Sequence, residues 1–122
     1  MAHARQQLGR AGEAAAVDYL KQLGYSILDT NWHAGRYGEL DIIAQEGQML
    51  VVVEVKARRG FGFGRPEDSV TPLKQNKLRS ATQAYVLSHP HLPTMVRFDV
   101  LAIILSPEGI VQDLQHYQGL NF

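Results

Sequence analysis

Two strand-like segments joined by a very short turn constrain the fold more than any other part of this sequence. The segments Glu39 to Gln45 and Met49 to Arg58 are rich in β-branched and aliphatic side chains. The Glu46-Gly47 connection between them indicates a β-hairpin. Within the second segment, Leu50-Val51-Val52-Val53 is apolar on both faces, so we expect a central strand in a sheet that is covered on both sides.

Helical patterns stand before and after this hairpin. The first helix is predicted from about Arg5 to Leu23, where apolar residues recur at helical spacing. Thr71 has the character of an N-cap, and it starts a second helix that runs to about Leu87. Three further strands are predicted at Ser26 to Trp32, Met95 to Leu105 and Ile110 to Tyr117. The predicted fold class is α/β, with the order αβββαββ and a mixed central sheet that has a helix on each side.

The size and composition of the chain narrow its class. A length of 122 residues suits one compact domain, so we expect residues 1–122 to form a single domain. The chain has no cysteine, which excludes thiolate metal sites, and its five histidines show no ligand spacing, so we expect them to be structural or exposed. No apolar run approaches the ~18 residues that a membrane span needs, and the polar N-terminus lacks the apolar stretch of a secretory signal. We therefore expect a cytoplasmic protein with no membrane partner.

Charge is balanced over the whole chain but not along it. Twelve basic and twelve acidic residues give a formal net charge of zero, whereas proteins that coat nucleic acid are usually strongly basic. Between Lys56 and Arg79, however, there are seven basic residues and two acidic ones. Such a segment can contact phosphates while the whole protein stays neutral. The alternative is a solvated basic surface.

Four charged residues of the hairpin are predicted to share one face of the sheet, because strand side chains alternate with a period of two. They are Glu39, Asp41, Glu54 and Lys56. If the chain turns about Glu46-Gly47, Glu39 lies opposite Glu54, and Asp41 lies opposite Val52. Directly opposed Cβ atoms in such a pair are about 5 Å apart.

Three carboxylates at this spacing repel one another, and Lys56 offsets only one of their charges. Burying an unpaired charge is strongly unfavourable, so the cluster needs a counterion. A Mg²⁺ or Mn²⁺ ion held by Asp41 and Glu54, with waters as the other ligands, meets that need. Such an ion activates water and polarises a phosphoryl oxygen, and Lys56 is suited to orienting the attacking water. An ordinary surface hairpin with a wet charged face is the alternative.

The sequence around these residues resembles a nuclease family. Gly38-Glu39-Leu40-Asp41 followed by Val53-Glu54-Val55-Lys56 looks like the core of the PD-(D/E)xK nuclease superfamily. Over nearly its whole length the chain resembles the small bacterial YraN-type proteins, which look like Holliday-junction resolvases in fold. The further matching segments are Gly9-Arg10-x-Gly12-Glu13-x-Ala15-Ala16, Asn31-Trp32 and Lys74-Gln75-x-Lys77. One departure is that Glu39-Leu40 stands where the superfamily's proline is expected.

The resemblance implies a restriction-endonuclease-like fold and a role for each matching residue. Asp41 and Glu54 match the metal ligands, and Lys56 matches the catalytic lysine. Glu13 matches the glutamate of the first helix that assists the metal site in resolvase-like enzymes, and we expect Glu39 to join this catalytic group. Because resolvase-like proteins often work as symmetric dimers, the resemblance also implies a homodimer.

A second group of residues is predicted to contact nucleic acid through charge or amide groups. This group consists of Arg58, Arg59, Arg65, Lys74, Gln75 and Lys77. The segment Gly60-Phe61-Gly62-Phe63-Gly64 adds two aromatic rings that suit base stacking. A flexible loop and a solvated helix face are the alternatives for these features.

Gly9 and Gly12 lie inside the first helix, where each glycine destabilises the helix by up to about 1 kcal/mol relative to alanine. Their presence predicts either close packing on the sheet or close approach of a phosphate backbone.

These features together predict a metal-dependent endonuclease that hydrolyses DNA phosphodiesters, with branched or otherwise structured DNA as the expected substrate. The alternative is a nucleic-acid-binding module with the same fold and little or no turnover, which works in a DNA-processing assembly. DNA is favoured over RNA as the partner, although no residue that recognises a 2′-hydroxyl can be identified.

Overall fold

The computed structural model describes residues 2–60 and 70–121, and its helices and strands follow the predicted order. They are α1 (Ala2–Gln22), β1 (Ser26–His33), β2 (Glu39–Glu46), β3 (Met49–Arg59), α2 (Pro72–Ser88), β4 (Met95–Leu105) and β5 (Val111–Tyr117). A short 3₁₀ turn, Gly35–Tyr37, joins β1 to β2. The order αβββαββ and the α/β fold class are therefore confirmed, and both are consistent with a restriction-endonuclease-like fold.

The five strands form one mixed sheet in the order β1-β2-β3-β4-β5. Strands β1, β2 and β3 are joined by antiparallel pairing, β3 and β4 run parallel, and β5 returns antiparallel to β4. The parallel pairing extends from Met49–Met95 to Arg59–Leu105. Parallel neighbours need a long crossover, and α2 lies in this connection. The prediction that Leu50-Val51-Val52-Val53 belongs to a central strand is confirmed, since these side chains are buried.

A helix packs on each face of the sheet and gives each face its own apolar cluster. On one face, Ala16 and Leu20 of α1 pack with strand residues such as Ile42 and Val53. On the other face, Leu78 and Tyr85 of α2 pack with further strand residues, and these are Leu40, Ile43, Leu50 and Val52. Neither of the described helices is long and apolar enough to cross a membrane.

Local sequence signals fix the positions of both helices. Gly12 lets α1 approach β3 closely, because a Cβ added at Gly12 would lie 2.6 Å from Cβ of Ala57. Close packing is thus the structural explanation for Gly12. At the other helix, the Thr71 side chain accepts a hydrogen bond from the backbone N–H of Lys74 at 3.3 Å, as an N-cap does. This cap fixes the residue at which α2 begins and so places Lys74 in the first turn of the helix.

A buried network of charged and polar groups is centred on Asp99 of β4. Asp99 is fully buried, and its carboxylate accepts hydrogen bonds from Arg97 Nε and Nη2 at 2.9 Å each and from Gly119 N at 3.0 Å. His116 Nε2 lies 2.8 Å from the same carboxylate, and His116 Nδ1 lies 3.0 Å from the Tyr19 hydroxyl. Arg97 also donates to Glu46 at 2.9 Å. We call these residues the Asp99 network.

Candidate metal and nucleic-acid site

The β2–β3 hairpin turns one residue later than predicted. The pairs run from Glu46–Met49 to Ile42–Val53, so Gly47 and Gln48 form the turn. Gly47 has φ +59°, which suits the first position of a type II′ hairpin turn. The predicted pairing of Glu39 with Glu54 is therefore wrong, because the register is shifted by two residues. The observed register instead brings Asp41 and Glu54 together, just beyond the last backbone pair.

Regular side-chain alternation is interrupted at Asp41. Leu40 packs in the α2 cluster, whereas Ile42, two residues later, packs in the α1 cluster. In a regular strand, residues two apart point to the same face. Asp41 thus lies at a local irregularity, and its Oδ2 accepts a hydrogen bond from the backbone N–H of Val55 at 2.9 Å. A carboxylate here takes the place of the next backbone acceptor in the ladder.

Burial and mutual repulsion make the Asp41 and Glu54 carboxylates reluctant to ionise. For Asp41, burial is the main cause of a raised pKa, and the hydrogen bond from Val55 partly opposes that rise. Burial followed by the charge of Asp41 raises the pKa of Glu54 to about 7. Near neutral pH, the pair therefore binds a proton readily when no cation is present.

Lys56 supplies a positive charge beside this pair. Its Nζ lies 3.8 Å from Glu54 Oε1, and its side chain is only 15% exposed. Burial is the main cause of a lowered pKa for Lys56; the charge of Glu54 opposes this shift, and neighbouring Lys74 adds to it. Lys56 is thus a desolvated amine next to the two carboxylates, and it does not neutralise both of them.

Glu13 of α1 joins the site from the opposite side of the sheet. Burial, followed by the charge of Asp41, raises the pKa of Glu13, while a hydrogen bond with the Asn31 side chain lowers it. Oε1 of Glu13 is buried and has no hydrogen-bond partner in the part of the chain that the structure describes. Such an oxygen is costly unless something binds to it.

Two cavities open where the β2–β3 ladder ends. The α1-side cavity, of about 530 Å³, is lined by Glu13, Glu39, Asp41 and Lys56, among others. The α2-side cavity is smaller, about 160 Å³, and contains Glu54 together with Glu39. The structure therefore brings the five predicted catalytic and metal residues together. The one-face prediction holds for Glu54 and Lys56, which are two residues apart on β3 and lie 3.8 Å from each other. Asp41 instead lies at the irregularity of β2 and lines the α1-side cavity.

Glu39 is the acid shared by both cavities. Its side chain is 42% exposed, and Oε2 lies 3.5 Å from Nε2 of His33. Because Glu39 is solvated, it contributes charge at the entrance and is a weaker candidate for a metal ligand than Asp41 and Glu54, which are less exposed.

The basic residues that the sequence assigned to nucleic acid lie at both entrances. Lys74 and Lys77 line the α2-side cavity, and Arg58 lines the α1-side cavity. Arg59 is exposed at the end of β3. The Gln75 side chain donates to the backbone carbonyl of Val70 at 3.0 Å, a contact that stabilises the start of α2.

Some of the predicted nucleic-acid contacts lie outside the described residues. These are Arg65 and the aromatic positions Phe61 and Phe63. Gly9 is described and lines the α1-side cavity, and a Cβ added there would contact nothing within 4 Å. Unlike Gly12, Gly9 does not show the predicted close packing in the described structure, and the close approach of a phosphate backbone stays a prediction that no contact tests.

The side chains of the site fit a hard divalent cation. Mg²⁺ and Mn²⁺ prefer oxygen ligands, and Mg²⁺ is often held by one or two carboxylates with waters completing its shell. Asp41 and Glu54 supply such a pair, and Glu13 Oε1 is a buried acceptor nearby. Within residues 2–60 and 70–121, no three His, Cys, Asp or Glu side chains form a ready metal cage. The site therefore suits an ion that keeps several waters.

Sequence reasoning gave Asn31 no role, although it lies at this site. It lines the α1-side cavity beside Glu13, and its φ of +50° is in the left-handed region. In the sequence, the Asn31-Trp32 pair stands out only as part of the family resemblance. Asparagine tolerates left-handed backbone better than most residues, but the sequence does not show which asparagine adopts it.

Comparison with known proteins adds the family. The pattern described as "Uncharacterised protein family UPF0102" matches residues 12–103. A UPF0102 protein of Pelotomaculum thermopropionicum is 42% identical over 119 residues, which cover 98% of each chain. A UPF0102 protein of Rhodococcus opacus is 46% identical over 116 residues, which cover 95% of this chain and 96% of the relative. The chain therefore belongs to the UPF0102 family, which is the YraN-type family of the PD-(D/E)xK nuclease-like superfamily.

Proposed function

We propose that the protein is a divalent-metal-dependent endonuclease that hydrolyses DNA phosphodiesters, with branched or structured DNA as its preferred substrate. One observation carries this proposal. Two partly buried carboxylates, Asp41 and Glu54, lie where a β-ladder ends, and the Lys56 amine, on a side chain only 15% exposed, lies 3.8 Å from Glu54. Structural ion pairs usually match one acid with one base, whereas this cluster has two carboxylates for one lysine and lies beside an open cavity.

Asp41 and Glu54 would hold Mg²⁺ or Mn²⁺, and Glu13 would support the site from α1. When bound, the ion would polarise the phosphoryl group and lower the pKa of a water ligand. Lys56 would donate hydrogen bonds that orient the attacking water or stabilise charge on the phosphoryl oxygens. Its proximity to Glu54 keeps this amine directed at the carboxylate pair.

The nucleic-acid part of the proposal is supported by the charges around the two entrances. Lys74 and Lys77 stand at one entrance and Arg58 at the other. Their charges favour a phosphate backbone that passes the carboxylates, although the whole chain is formally neutral. The homodimer stays a prediction, as does the preference for DNA over RNA.

The test is cleavage of labelled linear duplex, single-stranded and four-way-junction DNA with Mg²⁺ or Mn²⁺. Glu54→Gln and Asp41→Asn should each reduce cleavage by about 10⁴-fold or more, as the loss of a member of a catalytic set does. The matched controls are Glu108→Gln and Asp113→Asn, which make the same changes at exposed positions. The controls should cut like wild type. Equal cleavage by all four variants would show that the site is wrongly assigned.

The second candidate is a nucleic-acid-binding module with little or no turnover. It is favoured by the lack of a ready cage of three His, Cys, Asp or Glu side chains among the described residues. Binding of four-way-junction DNA, with no cleavage of any substrate in either metal, would select this candidate. In that case, Lys74→Ala and Lys77→Ala should weaken binding, and Glu54→Gln should leave it unchanged or strengthen it, because it removes a negative charge near phosphate.

A further inference from the structure

Asn31 has a left-handed backbone conformation within strand β1. Among residues 2–60 and 70–121 it is the one non-glycine residue with a positive φ, at +50°. L-residues with a Cβ rarely adopt this left-handed conformation, and strained positions of this kind concentrate at functional sites. A strand residue with a left-handed φ needs an explanation in its surroundings.

The position of Asn31 in the sheet places it beside the candidate site. It lies on β1 between the pairs Thr30–Ile42 and Trp32–Leu40, which is the level of Asp41 on β2. It lines the α1-side cavity, and it also lines an adjoining cavity of about 380 Å³. Glu13 lines both of these cavities as well. Asn31 and Glu13 therefore lie at the boundary between the two cavities.

The two side chains interact across the cavities that they share. The Asn31 side chain lies within hydrogen-bonding reach of Glu13 and lowers the pKa of that carboxyl, whereas Oε1 of Glu13 is buried with no partner among the described residues. The Asn31 amide thus acts on a carboxylate that keeps one oxygen free. Outer partners that hold a carboxylate in this way orient it toward a ligand.

We propose that Asn31 is a positioning residue, whose left-handed backbone aims its amide at Glu13 and holds that carboxylate beside Asp41 in the α1-side cavity. The use of the free Glu13 oxygen in metal binding rests on the proposed function, but the holding itself does not. Glycine would adopt the same backbone without strain. The presence of asparagine therefore indicates that the amide side chain is needed.

The first test uses metal-free protein and the side-chain carboxyl ¹³C resonance of Glu13. Asn31→Gly keeps the backbone conformation and removes the amide, so the resonance should shift while Tm stays within about 5 °C of wild type. Asn31→Asp is a second variant that tolerates the same backbone but cannot donate a hydrogen bond, and it should also shift the resonance. The control is Asn121→Gly, which makes the same change at an exposed position. An unchanged Glu13 resonance in both Asn31 variants would overturn the proposal.

The second test measures Mn²⁺ binding by calorimetry and separates this inference from the proposed function. Loss of the positioning amide should weaken Mn²⁺ binding by about 10- to 100-fold in Asn31→Gly, the usual effect of losing an outer partner, with no change in Asn121→Gly. If the wild-type protein binds no Mn²⁺ but the Glu13 resonance still moves, positioning stands and the metal-dependent nuclease is wrong. If wild type binds Mn²⁺ and Asn31→Gly binds it equally well with an unmoved resonance, the positioning role is wrong and the metal site stands.

Discussion

Two clusters of charged groups occupy neighbouring positions in the sheet, and they differ in how their charges are satisfied. Asp99 pairs with Val53 across the parallel ladder, one residue before Glu54. The Asp99 carboxylate receives two hydrogen bonds from Arg97 and one from Gly119 N, and His116 lies at 2.8 Å. At the other cluster, Asp41 accepts one hydrogen bond from Val55.

The difference indicates which charges are balanced by other groups of the chain and which are available to a ligand. The Asp99 network satisfies a fully buried carboxylate from within the chain, so it resembles the buried pairs that specify a structure. The Asp41–Glu54 cluster keeps raised pKa values and includes a buried Glu13 oxygen with no partner among the described residues. Charges that the fold leaves unsatisfied in an open cavity mark a functional site.

The most direct test of this difference is to make the same substitution, Asp to Asn, in both clusters. Asp99→Asn should destabilise the protein by about 3 kcal/mol, because it leaves Arg97 without its buried counterion and weakens the contact with His116, and Tm should fall by about 10 °C. Asp41→Asn should leave stability unchanged or raise it by about 1 kcal/mol, since it relieves repulsion with Glu54. Denaturant unfolding without metal measures both values. Equal losses would show that the two clusters are alike.

A smaller effect is expected in the pH dependence of stability. Glu54 has a pKa of about 7 in the folded protein and an ordinary value of 4.5, so between these values the folded state binds more protons than the unfolded state. Stability should therefore fall as pH rises from about 4.5 to 7, by on the order of 2 kcal/mol. The contribution is fully present below pH 4.5 and lost above pH 7.

Unfolding of metal-free protein at pH 5, 6, 7 and 8 measures this dependence. Glu54→Gln should flatten the fall, whereas Glu108→Gln should retain it. Saturating Mn²⁺ should stabilise the protein most at the higher pH values, because the ion competes with protons for the carboxylates. A curve that is equally steep in Glu54→Gln would assign the titration to another group.

The smallest effect is expected at the outer end of the Asp99 network. Tyr19→Phe removes the hydroxyl that lies 3.0 Å from His116 Nδ1, so it should cost about 1 kcal/mol of stability. Cleavage per folded molecule should not change, because Tyr19 lines neither cavity of the site. Tyr117→Phe is the control, since the Tyr117 hydroxyl has no hydrogen bond in the described residues. A loss of cleavage in Tyr19→Phe would link the two clusters.

Patterns within short segments were enough to predict the fold. The apolar run Leu50-Val51-Val52-Val53 indicated a buried central strand, and Thr71 indicated the start of α2; the structure confirms both. The pairing of Arg97 with Asp99 is also local in sequence, because the two residues are two positions apart on one strand. What failed was the hairpin register. The sequence predicted a turn at Glu46-Gly47, but the left-handed φ of Gly47 places that residue first in the turn, which shifts the strands by two residues.

The candidate site was predicted less completely, because part of it depends on contacts between distant segments. The identities of Asp41, Glu54 and Lys56 followed from one hairpin and its family resemblance. The irregularity at Asp41 and the left-handed Asn31 were not visible, since both arise where β1 and β2 pair around the carboxylate. The satisfaction of Asp99 by His116 also joins separate strands, and no periodicity in the sequence reports such a contact.

The separation of the two clusters along the chain has a consequence for the order in which the protein assembles. Ile42 and Val53 pair within one hairpin, whereas Tyr19 and His116 are 97 residues apart. Closing a longer loop costs more entropy and slows folding. We therefore expect a growing chain to gather the Asp41–Glu54 carboxylates soon after the hairpin leaves the ribosome. The contacts of Asp99 with His116 and Gly119 form only after those later residues are synthesised, so the Asp99 network closes after the hairpin that carries Asp41 and Glu54.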